Sequence, residues 1–172
     1  NLLADALVEA LDRAGIECLD LRERIAAEGI DHASLFFRTD HHWLPSAGLW
    51  AANETAAFLR DRHGIPADLA RTSPENFEIR RVSDRYLGSF GRRTGAWYAG
   101  TEPFDIVLPR FPTDFVFDAP RAGHHTEGPF LTAFLHGIDR PRGLYRESLY
   151  ENYLASQQIF SRVENRGASN GR

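Results

Sequence analysis

Leu35-Phe36-Phe37-Arg38-Thr39-Asp40-His41-His42-Trp43-Leu44-Pro45-Ser46-Ala47-Gly48 sets an acid, two imidazoles and an indole directly behind an apolar stretch. Leu35 to Phe37 reads as a buried strand. Pro45-Ser46-Ala47-Gly48 reads as the opening of a helix that continues through Trp50, Ala51, Thr55 and Phe58, since proline suits a first helical turn. The polar run between them is then a strand-to-helix loop, the kind of place where open α/β sheets gather ligands and reacting groups. In extended chain the side chains alternate faces, so Asp40 and His42 share one side and His41 and Trp43 the other. A carboxylate beside an imidazole fixes its tautomer and supplies the acid-base half of a hydrolase or acyl-transferase triad. The plainer alternative is a polar loop wall without chemistry.

Upstream of this block, Leu3, Leu7, Ala10, Leu11 and Ala14 recur at helical spacing and Gly15 offers a stop, so residues 2–14 form an amphipathic helix. Ile16 to Leu21 is short and apolar and reads as a strand. Its closing Asp20 suits capping of the next helix, residues 21–28, better than an active-site edge. Cys18 has no partner for a disulfide and reads as a small core residue. Strand, helix and strand in this order favour a parallel sheet with right-handed crossovers.

Beyond His63-Gly64, prolines interrupt the chain and regular winding ceases. Residues 75–120 read as a β-rich insertion on the α/β core: Phe77 to Val82 alternates apolar and charged residues, and Phe104 to Leu108 and Phe115 to Phe117 are two further strands. Trp97-Tyr98 with Tyr86, Phe90 and Phe111 offer flat faces for sugar rings, although packing of the insertion is the commoner use of such residues. Gly88-Ser89-Phe90-Gly91-Arg92-Arg93 is the one local candidate for a replacement nucleophile or an oxyanion-contacting loop, with arginines suited to an anionic polymer. A Gly-bounded loop carries His124-His125, which with Asp40, His41 and His42 raises the idea of a divalent metal. Neighbouring histidines diverge in extended chain, and the Asp-x-Asp elements of metal-dependent Asp-His-His phosphoesterases are missing, so no metal is expected. His136 reads as a helix-end residue, and a last helix spans about Arg146 to Phe160.

Composition bounds the remaining choices. The 172 residues suit one domain, and a net charge of −4 with a pI near 6.0 gives no nucleic-acid signature. All 20 basic residues are arginine, with Arg22, Arg24, Arg60 and Arg62 on expected solvated helix faces. No segment approaches the roughly 20 apolar residues that span a bilayer. No residue pattern calls for a cofactor or specifies an oligomeric state.

The block Phe37 to Gly48 resembles the signature of the bacterial DHHW family and, more distantly, the Thr-Asp-x-His-Trp-x-Pro segment of alginate O-acetyltransferases of the AlgX/AlgJ type in the SGNH-hydrolase-like superfamily. The helix, strand and helix that precede it follow the family's arrangement. The resemblance implies an SGNH-hydrolase-like parallel sheet flanked by helices. It further implies an extracytoplasmic, periplasmic or cell-surface, O-acetyltransferase or esterase acting on cell-surface polysaccharide. Asp40 would be the acid and His42 the base, with His41, Trp43, Ser89, Arg92 and Trp97 shaping the substrate site. A carbohydrate polymer, an acyl donor and a membrane-bound acyltransferase are the implied partners.

The family's nucleophile lies in a later Asp-Ser-aromatic segment that this sequence lacks, and the tail from Val163 to Arg172 resembles the polar turn leading into it. The sequence opens on Asn1 and holds no Met, so it reads as a fragment, an incomplete domain supplying the Asp-His half of a triad. A noncatalytic carbohydrate-binding or envelope-assembly module is the second reading, and a metal-dependent phosphohydrolase the third.

Overall fold

The computed structural model describes residues 2–135, 143–146, 149–152 and 162–167. They form a mixed α/β structure of six helices and five strands. The helices are α1 (Leu2–Arg13), α2 (Leu21–Ala27), α3 (Pro45–His63), α4 (Ser89–Thr94), α5 (Ala96–Ala99) and α6 (Phe130–Phe134), and the strands are β1 (Phe77–Tyr86), β2 (Glu102–Pro109), β3 (Phe115–Ala119), β4 (His124–Gly128) and β5 (Arg162–Asn165). The helix ends follow their local chemistry. Asp20 accepts the Arg22 N–H at the start of α2, as an N-cap should. Pro45 opens α3, and Gly64 closes it in the left-handed conformation at φ 62°.

Two antiparallel sheets carry the described strands, β1 with β2 and β4 with β3 and β5. The expected parallel pairing of residues 16–21 with the motif segment does not occur among the described residues. Ile16 to Asp20 is irregular chain between α1 and α2 without a ladder, and apolar composition alone cannot make a strand where no neighbour offers backbone partners. Ile16 and Cys18 are accordingly exposed rather than core. Residues 32–35 form a single 3₁₀ turn, and only the Phe36–Trp43 bridge has strand geometry. His124 and His125 lie on β4, paired with Ala119 and Asp118, rather than in a loop. The tail contributes β5, paired with β3, before any turn. His136 and most of the helix expected from Arg146 to Phe160 lie outside the described residues; within that span Leu149–Asn152 form a 3₁₀ turn.

The core that positions the motif gathers Phe37, Tyr86, Phe104, Ile106, Leu108 and Leu149. Phe104 has no exposed surface and stacks on Phe37 with ring centroids 5.5 Å apart. β1 and β2 pair in register from Phe77–Pro109 to Val82–Phe104, and pairing resumes at Tyr86–Glu102. Three residues of β1, 83–85, therefore oppose the single Pro103 of β2, and Asp84 within this bulge adopts φ 48°, the left-handed region. Arg81 grips its cross-strand partner Asp105 through two bonds of 2.8 and 2.9 Å just before the irregularity. A second cluster of Phe117, Ala119, Ala133 and Phe134 joins α6 to its sheet. Because Phe104 fills the space under the motif, Phe104→Ala should cost about 3–5 kcal/mol in urea unfolding, the range for emptying an aromatic core position.

Candidate acid-base site

A tight reversal builds the site. The Phe37 N–H donates to the His42 carbonyl at 3.2 Å and the Leu44 N–H to the Leu35 carbonyl at 2.8 Å, so Arg38 to His41 bulge out between two short bridging segments. Glu102, at the start of β2, clamps the outgoing limb. Its carboxylate accepts the Arg38 N–H at 3.0 Å, the Thr39 N–H at 2.8 Å and the Thr39 hydroxyl. The Gly88 N–H donates back to Thr39 Oγ1 at 2.9 Å, and the Phe90 and Gly91 N–H groups both donate to the Thr39 carbonyl at 3.0 Å. Thr39 is thus satisfied on every polar atom while 2% exposed. The turn at residues 88–91 approaches so closely that a Cβ at Gly88 would sit 2.4 Å from both Asp40 Cβ and the Thr39 carbonyl oxygen.

Asp40 is 5% exposed and is held on both oxygens. Oδ2 accepts the buried Tyr86 hydroxyl. Oδ1 accepts the Ser89 hydroxyl at 2.9 Å and the His41 N–H at 2.7 Å, and lies 3.0 Å from His42 Nδ1. Burial by itself would raise the Asp40 carboxyl, but the bonds from Tyr86, Ser89, the His41 backbone and His42 outweigh it and hold the group well below the usual carboxylate range. Burial first, and then the bond to Asp40, push the Tyr86 phenol far above its ordinary value, so it remains a donor. An ionised Asp40 facing Nδ1 favours the tautomer of His42 with its hydrogen on Nδ1, and Nε2 turns away from the carboxylate. Tyr150 stacks on the His42 ring at 4.6 Å, which fixes the plane of the imidazole. The outward nitrogen has no hydrogen-bonding partner among the described residues.

His41 joins the same cluster rather than pointing away as extended chain required. Its Nδ1 is 2.9 Å from Asp40 Oδ1 and 3.1 Å from Ser89 Oγ, and its ring lies 4.0 Å from that of His42. The turn, not strand alternation, brings Asp40 and His42 together. Trp43 packs edge-on against Phe36 behind the loop. Ser89 contacts Asp40 and His41, not His42. Arg92 is close enough for its charge to lower the Tyr86 phenol slightly. Trp97 and Tyr98 stand 94% and 86% exposed, so they do not pack an insertion core. Tyr86 and Glu102 are neighbours of the site that belong to no motif; Thr39 stands inside the quoted block, and Gly88 in the glycine pair that flanks Ser89 and Phe90.

Asp40, His41 and His42 offer three possible ligand atoms within 4.8 Å of one another. The donor set suits an acid better than a metal: Oδ1 already accepts an N–H and an O–H and faces two imidazoles, and Oδ2 is taken by Tyr86, so an ion would have to displace this shell. A separate crevice between α1, residues 16–20 and α3 is lined by Val8, Asp12, Cys18, Leu19, Phe58 and Asp61, and shares no residue with the cluster.

The family model described as "SGNH hydrolase-like domain, acetyltransferase AlgX" matches residues 3–100. The chain therefore belongs to the AlgX-type SGNH-hydrolase-like family, whose members are extracytoplasmic. It is similar in fold to a crystal structure of a DHHW family protein from Eubacterium siraeum DSM 15702, with a TM-score of 0.54 and 17% identity over 85% of this chain. The chain spans 45% of that protein's length. No curated protein matches the sequence. No described helix is long and apolar enough to cross a membrane.

Two outcomes test this packing. Gly88→Ala should lower stability by about 3 kcal/mol, the upper part of the range for overpacking, because the atoms it meets are backbone and Cβ rather than a yielding side-chain tip. The folded Asp40 carboxyl lies below its unfolded value of about 3.9, so its ionised form stabilises the fold above about pH 4, and that contribution fades as pH falls. Asp40→Asn should therefore melt lower than the unaltered protein at pH 6, and the gap should narrow in melts run below pH 4.

Proposed function

We propose that this chain supplies the acid and base of a serine-dependent O-acetyltransferase or esterase that acts on polysaccharide at the cell surface or in the periplasm. The observation that carries the reading is the 3.0 Å contact from His42 Nδ1 to an ionised, buried Asp40 oxygen, with Nε2 unbonded among the described residues on a partly exposed ring. His42 takes the proton from a serine hydroxyl as that oxygen attacks the acyl carbonyl. It then returns the proton to the leaving oxygen, while Asp40 steadies the imidazolium formed between the two steps. In this reading the attacking serine is a residue beyond those described, brought to the Nε2 side of His42. The acyl donor and a membrane-bound acyltransferase that delivers it are the corresponding partners.

Hydrolysis of an aryl acetate by the full-length protein tests the assignment. His42→Ala should lower kcat on the order of 10²–10⁴-fold, the usual contribution of a general base, and by as much as replacing the serine. Unchanged turnover would remove His42 from the chemistry. Chelator should leave the rate unaltered; loss of activity with EDTA and recovery with zinc would favour metal-dependent phosphohydrolysis instead.

The exposure of Trp97 and Tyr98 favours a second reading, a noncatalytic carbohydrate-binding or envelope-assembly module, because flat aromatic faces left in solvent suit sugar rings. Polysaccharide binding lost in Trp97→Ala but kept in Asp40→Asn, in a protein without esterase activity, would select it.

A further inference from the structure

Asp40 can orient an imidazole only as rigidly as it is itself held, and the hold on its second oxygen comes from a distant element. Tyr86 is 1% exposed and wedged between Phe37, at 4.5 Å, and Phe104, at 5.2 Å. Its hydroxyl points at Asp40 Oδ2 from the end of β1, just past the point where the β1–β2 register breaks. A regular continuation of the ladder, with successive side chains on opposite faces, would set Asp84 rather than Tyr86 across from Glu102. The two extra residues on β1 and the left-handed backbone of Asp84 instead turn the strand end toward the motif. Bulges and non-glycine residues at positive φ persist where the surroundings demand a particular direction for a side chain, and here that side chain is Tyr86. The rest of the β1 surface is largely exposed, so burial of this one tyrosine accounts for the distortion.

We propose that the bulged end of β1 is a positioning device for the acid, in which Tyr86, by holding Asp40 Oδ2, fixes the carboxylate plane and thereby the reach and basicity of His42. The proposal rests on the acid-base assignment above. The two oxygens divide the work: Oδ2 belongs to Tyr86, and Oδ1 faces His42. A phenol on Oδ2 draws negative charge away from Oδ1, so it tempers the support that Asp40 gives to the imidazolium while preventing the carboxylate from rotating. Tyr86 touches neither base nor substrate and acts through Asp40.

The test uses the full-length protein and an aryl acetate. Tyr86→Phe removes one oxygen and keeps the ring in its aromatic pocket. The expected result is a kcat lowered about tenfold, the order seen when a partner behind a reacting group is lost, with KM unchanged. The acidic limb of the kcat/KM pH profile should move upward, because Asp40 then supports the imidazolium more strongly. Tyr86→3-fluorotyrosine keeps the hydroxyl and makes it a stronger donor, so it should move the same limb downward; this variant decides the question if Tyr86→Phe does not fold. Unmoved limbs, or limbs that move in the same direction in both variants, overturn the proposal. If His42→Ala keeps full activity, the acid-base assignment falls and the positioning role falls with it. If His42→Ala is inactive while both Tyr86 variants match the unaltered protein, the positioning role alone is wrong.

Discussion

The buried carboxylate of Asp40 is the constraint around which this structure is arranged. A charged group removed from water is tolerated only when its oxygens are filled by donors. The donors here come from three places in the chain: Tyr86 at the end of β1, Ser89 at the start of α4, and the His41–His42 segment itself. Satisfying one side chain therefore ties the motif loop to the β1–β2 pair and to the turn that follows it. Glu102 adds a second tie of the same kind, a carboxylate that accepts from the backbone of the same loop. Packing beneath supplies stiffness, since Phe37 and Phe104 each meet Tyr86 and Tyr150, and Tyr150 meets the His42 ring.

Local signals made much of this legible before any coordinates. Pro45 and Gly64 mark the two ends of α3, Asp20 caps α2, and the alternation from Phe77 to Val82 lies within β1, because each feature depends on residues a few positions apart. The proximity of Asp40 and His42 was likewise visible, although a turn rather than an extended strand produces it. What sequence could not carry is long-range pairing. Tyr86 lies 46 positions from its acid, and Glu102 lies 63 and 64 positions from the amides it accepts. Ile16 to Leu21 has the composition of a strand but no ladder neighbour among the described residues. His124-His125 looked like loop because glycines flank it, yet β3 recruits it into a sheet.

The same contrast explains Ser89. Its local setting between two glycines suggested an attacking hydroxyl or an oxyanion loop. Its hydroxyl is instead committed to Asp40, and its short distance to His41 makes it a link between the acid and the second imidazole. A hydroxyl whose proton is given to a carboxylate is a poor nucleophile, since that proton is directed at Asp40 and not at His42.

The contact at Gly88 has an evolutionary corollary. With only a hydrogen separating two stretches of main chain, the acid's location is set by how those stretches abut rather than by a rotamer it selects. Any residue with a side chain at position 88 would have to push the facing main chain at Thr39 aside. Drift at position 88 is therefore blocked unless the segment around Thr39 recedes in step.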